Sequence, residues 1–235
     1  MSQRSRTPAF AGGVRSADGE PGVGAAQPAT SEQFTRAARL LAHRDAALGR
    51  VIEAVGPPVL REPQPDAFAA LVRSIVFQQL AGRAASAIHQ RFLATLPNGL
   101  SPQNVLTLPP EVLREAGLSG AKAASILDLA TKVGDGTVPL EDAEALADED
   151  LITRLATVRG IGRWTAEMFL IFHLRRPDVW PVDDLGVRKG YAKAHGLALP
   201  PPPRALMALG DLYRPWRTVA AWYCWRAVDT VLPEA

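Results

Sequence analysis

Val158-Arg159-Gly160-Ile161-Gly162-Arg163-Trp164-Thr165-Ala166 reads as a tight G-x-G turn that opens a helix. Glycine permits positive φ and lets a second backbone approach closely. The first N–H groups of the following helix have no partner inside it. Together with the helix dipole they form an anion site suited to a phosphate. Further on, Pro181-Val182-Asp183 sets an isolated carboxylate after a proline break. A carboxylate beside a phosphate clamp is a candidate for chemistry on a nucleotide.

Outward from this turn the apolar period is helical from Ser31 onward, with no convincing strand run. Ser31-Glu32-Gln33-Phe34 resembles an N-cap leading a helix to about residue 46, and a short helix over about 48–54 precedes Pro57-Pro58. Phe68, Leu71, Val72, Ile75 and Val76 form one face of a helix over about 67–80, followed by another over about 82–96. Ser101-Pro102, Pro109-Pro110-Glu111 and Ser119 start three more. Short helices are expected over about 140–147 and 149–156, then longer ones over about 163–174 and 183–195. Pro200 to Pro203 form a stiff spacer before closing helices over about 203–212 and 215–230. Residues 1–30, rich in Gly, Ala, Pro and Ser without an apolar period, read as a disordered tail, leaving 31–235 as the folded core.

Bulk properties exclude several classes. The chain has 235 residues, 47% hydrophobic and 21% charged, ordinary for a soluble globular protein and enough for one large domain or two small ones sharing an interface. No apolar run approaches a membrane span, and the first thirty residues lack the apolar core of a signal peptide, so a cytoplasmic setting is expected. The one cysteine, Cys224, excludes an internal disulfide, a cysteine-ligated iron–sulfur cluster and a four-cysteine zinc site. His43, His89, His173 and His195 are scattered without ligand spacing. A net charge of +2 is too mild to argue nucleic acid alone, but Arg159, Arg163, Arg188 and Lys189 flank the turn and the Asp.

Four segments carry a resemblance: Ser74-Ile75-Val76-Phe77-Gln78-Gln79-Leu80, the turn from Val158 to Ala166, Trp180 through Arg188 with its P-x-D, and Arg214-Pro215-Trp216-Arg217 through Trp225. Over about residues 35–230 the chain resembles the helix-hairpin-helix DNA glycosylases, and within them the alkylation-repair branch of 3-methyladenine DNA glycosylase II (AlkA-like) enzymes. The resemblance implies an all-α fold of two helical lobes with a DNA-binding cleft and a helix-hairpin-helix motif. The N-terminal β domain of the fuller AlkA pattern is not expected here. The implied activity is monofunctional hydrolysis of the N-glycosidic bond of alkylated bases after base flipping. The implied partner is duplex DNA with damaged bases, bound by a monomer, and no organic cofactor is implied.

The resemblance also assigns residues. Asp183 is the implied catalytic carboxylate, a role compatible with capping the next helix; its rival Asp184 reads as a helix N-terminal charge. Trp164 stands where bifunctional members carry a nucleophilic Lys, and an indole forms no Schiff base but attracts a cationic alkylated purine. Trp225 matches a second pocket tryptophan, although Trp216, Trp222 and Trp225 are expected on one helix, where at least two serve packing. Gly160, Gly162, Arg163 and Thr165 are implied DNA contacts, and Gln79, or its neighbour Leu80, the wedge that fills the gap left by a flipped base. The main-chain carbonyls of Ala156, Val158 and Ile161 match those that hold a monovalent cation, sodium or potassium. Other readings are a glycosylase for uracil or hypoxanthine, or a non-catalytic helix-hairpin-helix clamp.

Overall fold

Helix boundaries follow from caps. In the computed structural model, which describes residues 27–60, 63–64, 66–80 and 82–230, Thr30 rather than Ser31 caps the first helix. Its hydroxyl accepts from Gln33 N at 3.2 Å, and the Gln33 amide accepts from Thr30 N at 2.8 Å, a reciprocal box. This helix, α1, spans Ser31–Arg44; Asp45 ends it and caps α2, Ala46–Val55. Asp66 caps α3, Ala67–Phe77, whose Phe68, Leu71, Val72, Ile75 and Val76 are all buried as the apolar stripe requires. Then come α4 (Gly82–Ala94), α5 (Pro102–Leu106), α6 (Pro110–Glu115), α7 (Gly120–Gly134), α8 (Asp148–Leu155), α9 (Arg163–Phe172) and α10 (Leu185–Ala194). The described chain closes with α11 (Pro203–Leu209), a 3-10 turn over Gly210–Tyr213, and α12 (Arg217–Asp229). No strand occurs among the described residues.

Two groups of helices form. One holds α1, α2, α10, α12 and the 3-10 turn; the other holds α3 to α9, with α7 packed on α3, α5 and α6, and α9 on α3 and α8. A continuous apolar core links them, from Phe34 and Leu41 through Ile75, Ile126 and Phe169 to Tyr191 and Ala220. The first group is pinned by Asp45, whose carboxylate accepts from Ala47 N, Leu48 N, Tyr213 OH and the His195 ring.

Three expectations change. Of the tail expected over 1–30, residues 1–26 lie outside the described residues, while Ala29 is buried and donates its N–H to Arg175 O at 2.9 Å. The helix expected over 140–147 is a run of turns. Arg176 is fully buried, and its guanidinium draws in the carbonyls of Ala143, Glu144 and Leu146 at 3.2, 2.9 and 3.1 Å. Carbonyls converging on one point cannot all lie along a helix axis. Finally, α3 stops at Phe77, before the expected end near residue 80, because Lys122 Nζ takes the carbonyls of Val76 and Gln78, both at 2.7 Å.

Candidate active site

The hairpin runs from α8 into α9. Gly160 has φ +75, and a Cβ there would stand 2.5 Å from Ser125 Oγ, so both conformation and space require glycine. Gly162 differs: its φ of −94 suits any residue, and a Cβ would meet nothing within 4 Å. The protein itself does not need glycine there; an outside group approaching the backbone would. Gly162 N-caps α9 with no side-chain cap bond, leaving the first N–H groups of α9 for an external acceptor. Gly162→Ala is therefore expected to keep the wild-type melting temperature while weakening duplex-DNA binding several-fold by titration. A lowered melting temperature would show that the glycine serves the fold instead.

Residues of α7 that sequence reasoning missed hold the hairpin from behind. Asp128 Oδ2 accepts from Arg159 N at 2.7 Å and from Lys132 Nζ at 2.8 Å, and Lys132 also donates to Thr157 O at 2.5 Å. An Asp–Lys pair at i, i+4 was the available signal, but that spacing is common on solvated faces. From α3, Gln78 Nε2 donates to Gly160 O at 3.0 Å and Thr165 Oγ1 at 3.2 Å, tying the end of α3 to the hairpin. The next residue, Gln79, is exposed with φ +55, uncommon for a non-glycine residue, and Leu80 is also exposed. The expected wedge pair thus stands at a strained, braced tip.

The carboxylate at the centre of the tryptophans is Asp184, whereas the expected catalytic residue, Asp183, lies apart from them. Asp184 is buried at the N-cap of α10; its Oδ1 accepts from Val187 N at 2.8 Å and Trp225 Nε1 at 2.9 Å. Its Oδ2 accepts from Trp164 Nε1 at 2.6 Å. The two expected pocket tryptophans therefore converge on Asp184. Asp183 is exposed and lines a different cavity of about 750 Å³ together with Glu149, Arg163, Glu167 and Trp180. The reason lies in the cap. Asp184 N donates to Pro181 O in a turn, and α10 starts after Asp184, so the second Asp is the one turned inward.

The side chains of two other expected DNA contacts have partners within the protein. The Arg163 guanidinium folds back onto α8, donating to both oxygens of Glu149 at 3.0 and 2.5 Å, and lies 3.6 Å from Glu167. Thr165 is 5% exposed, its hydroxyl taken up with Gln78, so its side chain is internal.

The faces of α9 serve two cavities. Arg163, Glu167 and Leu170 face the large one; Met168, Phe169, Phe172 and His173 face a slot of about 160 Å³ shared with Ala70 and Ser74 of α3. Phe172 stacks on Trp225, centroids 5.6 Å apart and planes at 26°, so two stacked rings lead from the slot wall to Asp184. Glu167 is 4% exposed and its Oε2 has no hydrogen-bond partner. Burial, which outweighs the attraction of Arg163, and the charge of Asp183 push its pKa up to about 7. The folded state thus holds this proton more tightly than the unfolded chain, and stability falls as pH rises from about 4.5 to about 7. Glu167→Gln is expected to raise the melting temperature relative to wild type at pH 8 but not at pH 4. An equal change at both would remove the carboxylate as the cause.

A turn-opened helix, a loop braced against it by Gln78 and a carboxylate between two indoles are the features of a helix-hairpin-helix protein. The chain belongs to the HhH-GPD superfamily of base excision DNA repair proteins, which residues 72–215 match. It is 38% identical to DNA-3-methyladenine glycosylase 1 of Schizosaccharomyces pombe, over 75% of this chain and 80% of that one. Among solved structures, a 3-methyladenine DNA glycosylase of the same yeast in complex with abasic DNA superposes with a TM-score of 0.74 at 37% identity, covering 81% of this chain and 95% of that one. A DNA-3-methyladenine glycosidase from Bacillus halodurans superposes at 0.73 with 34% identity, covering 81% and 88%.

Proposed function

We propose that this protein is a monofunctional DNA glycosylase that hydrolyses the N-glycosidic bond of alkylated bases, 3-methyladenine and 7-methylguanine foremost, with Asp184 as the catalytic carboxylate. The observation that carries this reading is the convergence of Trp164 and Trp225 on Asp184 at the junction of the two helix groups. An ionised carboxylate has about four acceptor positions, and three are occupied by N–H donors. Those donors fix its orientation and leave a position on Oδ2 for a developing cation.

The chemistry follows from charge. An N-alkylated purine is cationic, so the C1′–N bond breaks with its electron pair leaving on the base, which departs neutral and needs no acid. The sugar is left oxocarbenium-like, and Asp184 beside it stabilises that charge. Water then adds to C1′ and gives up a proton, with Asp184 as the nearby base. The product is an abasic site. Trp164 in place of a Lys leaves no amine for a Schiff base, which makes the enzyme monofunctional. The same indole presents an electron-rich face to a cationic base.

Duplex DNA with damaged bases is the proposed partner. The α9 N–H groups and Gly162 take a phosphate, and Gln79 or Leu80 fills the space of the flipped base. The Ala156, Val158 and Ile161 carbonyls lie along the turn, and main-chain oxygens suit sodium or potassium; Val158 O already accepts from Ile161 N at 3.0 Å but keeps a second lone pair. A cation held there would add positive charge toward the phosphate. The protein would act as a monomer in the cytoplasm, near the nucleoid in a bacterium. Incubation with a methylated duplex is expected to release 3-methyladenine and 7-methylguanine, read by chromatography of the free bases. Salt-dependent DNA binding without release of any base would reduce the protein to a clamp.

A further inference from the structure

The slot beside Phe172 has a polar wall that the proposed chemistry does not use. Ser74 of α3 and His173 at the end of α9 line it together with Met168 and Phe172. The Ser74 hydroxyl donates to Ala70 O at 2.9 Å, so its proton is committed and its oxygen is left as an acceptor. The His173 ring stacks on Phe169, centroids 5.0 Å apart and planes at 26°, which sets its plane. His173 Nδ1 is buried and makes no hydrogen bond. A buried polar atom left unpaired is costly, and a ligand that satisfies it recovers that cost. Burial also lowers the His173 pKa, against the weaker pull of Asp66 and Glu144, so the ring is neutral and one ring nitrogen is a lone-pair acceptor. Arg73, the cation in the same lining, lies over the Phe77 ring, 3.9 Å from its centroid.

The geometry points to Ser74 and His173 as readers of the flipped base, both accepting from one exocyclic amino group, so that adenine-derived lesions are preferred over guanine-derived ones; this rests on the glycosylase reading above. An amino group carries two protons, one for Ser74 Oγ and one for His173 Nδ1 in the tautomer that carries its proton on Nε2. The adenine edge has such a group where guanine presents its O6 carbonyl, an acceptor that offers nothing to the Ser74 oxygen. Selection by unpaired buried groups is stronger than selection by apolar shape, because the wrong base leaves them unsatisfied. Phe172, between the slot and Trp225, would carry the ring of the base toward Asp184.

The test is single-turnover release of 3-methyladenine and 7-methylguanine from one methylated duplex. His173→Phe keeps a ring against Phe169 and removes the nitrogen. It is expected to lower the ratio of the 3-methyladenine rate to the 7-methylguanine rate by about tenfold, the worth of one well-made hydrogen bond. His173→Asn, whose amide oxygen accepts in nearly the same place, is expected to bring the ratio back toward wild type. Equal losses for both bases, or no change in the ratio, would overturn the assignment. Should His173→Phe fail to fold, Ser74→Ala takes its place with the same expected direction and the same overturning result. A wild type that releases neither base sinks the glycosylase reading itself, an outcome distinct from an unchanged ratio.

Discussion

Asp184→Asn is expected to abolish base release, lowering the single-turnover rate by about a thousandfold, the range for losing a charge that stabilises a transition state. Asp183→Asn is expected to stay near wild type. The two substitutions are adjacent and chemically identical, so general harm to the loop cannot explain a difference between them. Asp184 accepts from two indoles and a backbone N–H, while Asp183 faces the opposite cavity. Asparagine keeps one acceptor oxygen for the Val187 N–H, so the cap survives in part, but its NH₂ would oppose an indole N–H. A loss of about 1 kcal/mol in stability is expected on that account. Binding to an abasic-site duplex, measured beside the rate, should hold. Full activity in Asp184→Asn with loss in Asp183→Asn would return the role to the first Asp.

Gly190→Ala should be among the most destabilising single substitutions in the molecule. A Cβ at Gly190 would stand 1.7 Å from Cys224 O, 2.4 Å from Cys224 C and 2.8 Å from its Cα. The obstacle is the backbone of α12, with no side chain to swing aside, so α10 and α12 must separate. Overpacking costs about 1–3 kcal/mol and more where backbone blocks relaxation. For a chain of this size about 3 kcal/mol lowers the melting temperature by roughly 6–12 °C. Gly186, one turn earlier on α10, is similarly close to Trp225, its Cβ position 2.9 Å from Cδ1. The α10–α12 contact thus sets the distance between Asp184 and Trp225, and the variant should also lose activity at temperatures where it remains folded. Calorimetry of Gly190→Ala beside Gly162→Ala checks this. A melt as high as wild type would mean that these helices are not in such close contact.

Local patterns carried much of this far. The glycine turn and the apolar stripe of α3 are contiguous features that short-range backbone preferences decide, while the Trp at the Lys position and the P-x-D followed by a second Asp come from the resemblance. The helix expected over 140–147 failed because Arg176, some thirty residues away, captures the carbonyls that a helix would have used. Arg163 beside a phosphate-binding turn reads as a phosphate contact, until Glu149, fourteen residues earlier, is found holding it. No local period records such pairings.

The amino-acid sequence by itself determined an all-helical chain, a glycine turn that opens a helix, and a pair of carboxylates at 183 and 184, of which it favoured the first. Only the tertiary structure decided which of the two carboxylates faces the tryptophans. Asp184 is the N-cap of α10 and Asp183 lies in the turn before it, so the choice depends on how the start of α10 is placed. That placement is set by its packing against α12 through Gly186 and Gly190, a contact between residues far apart in the chain.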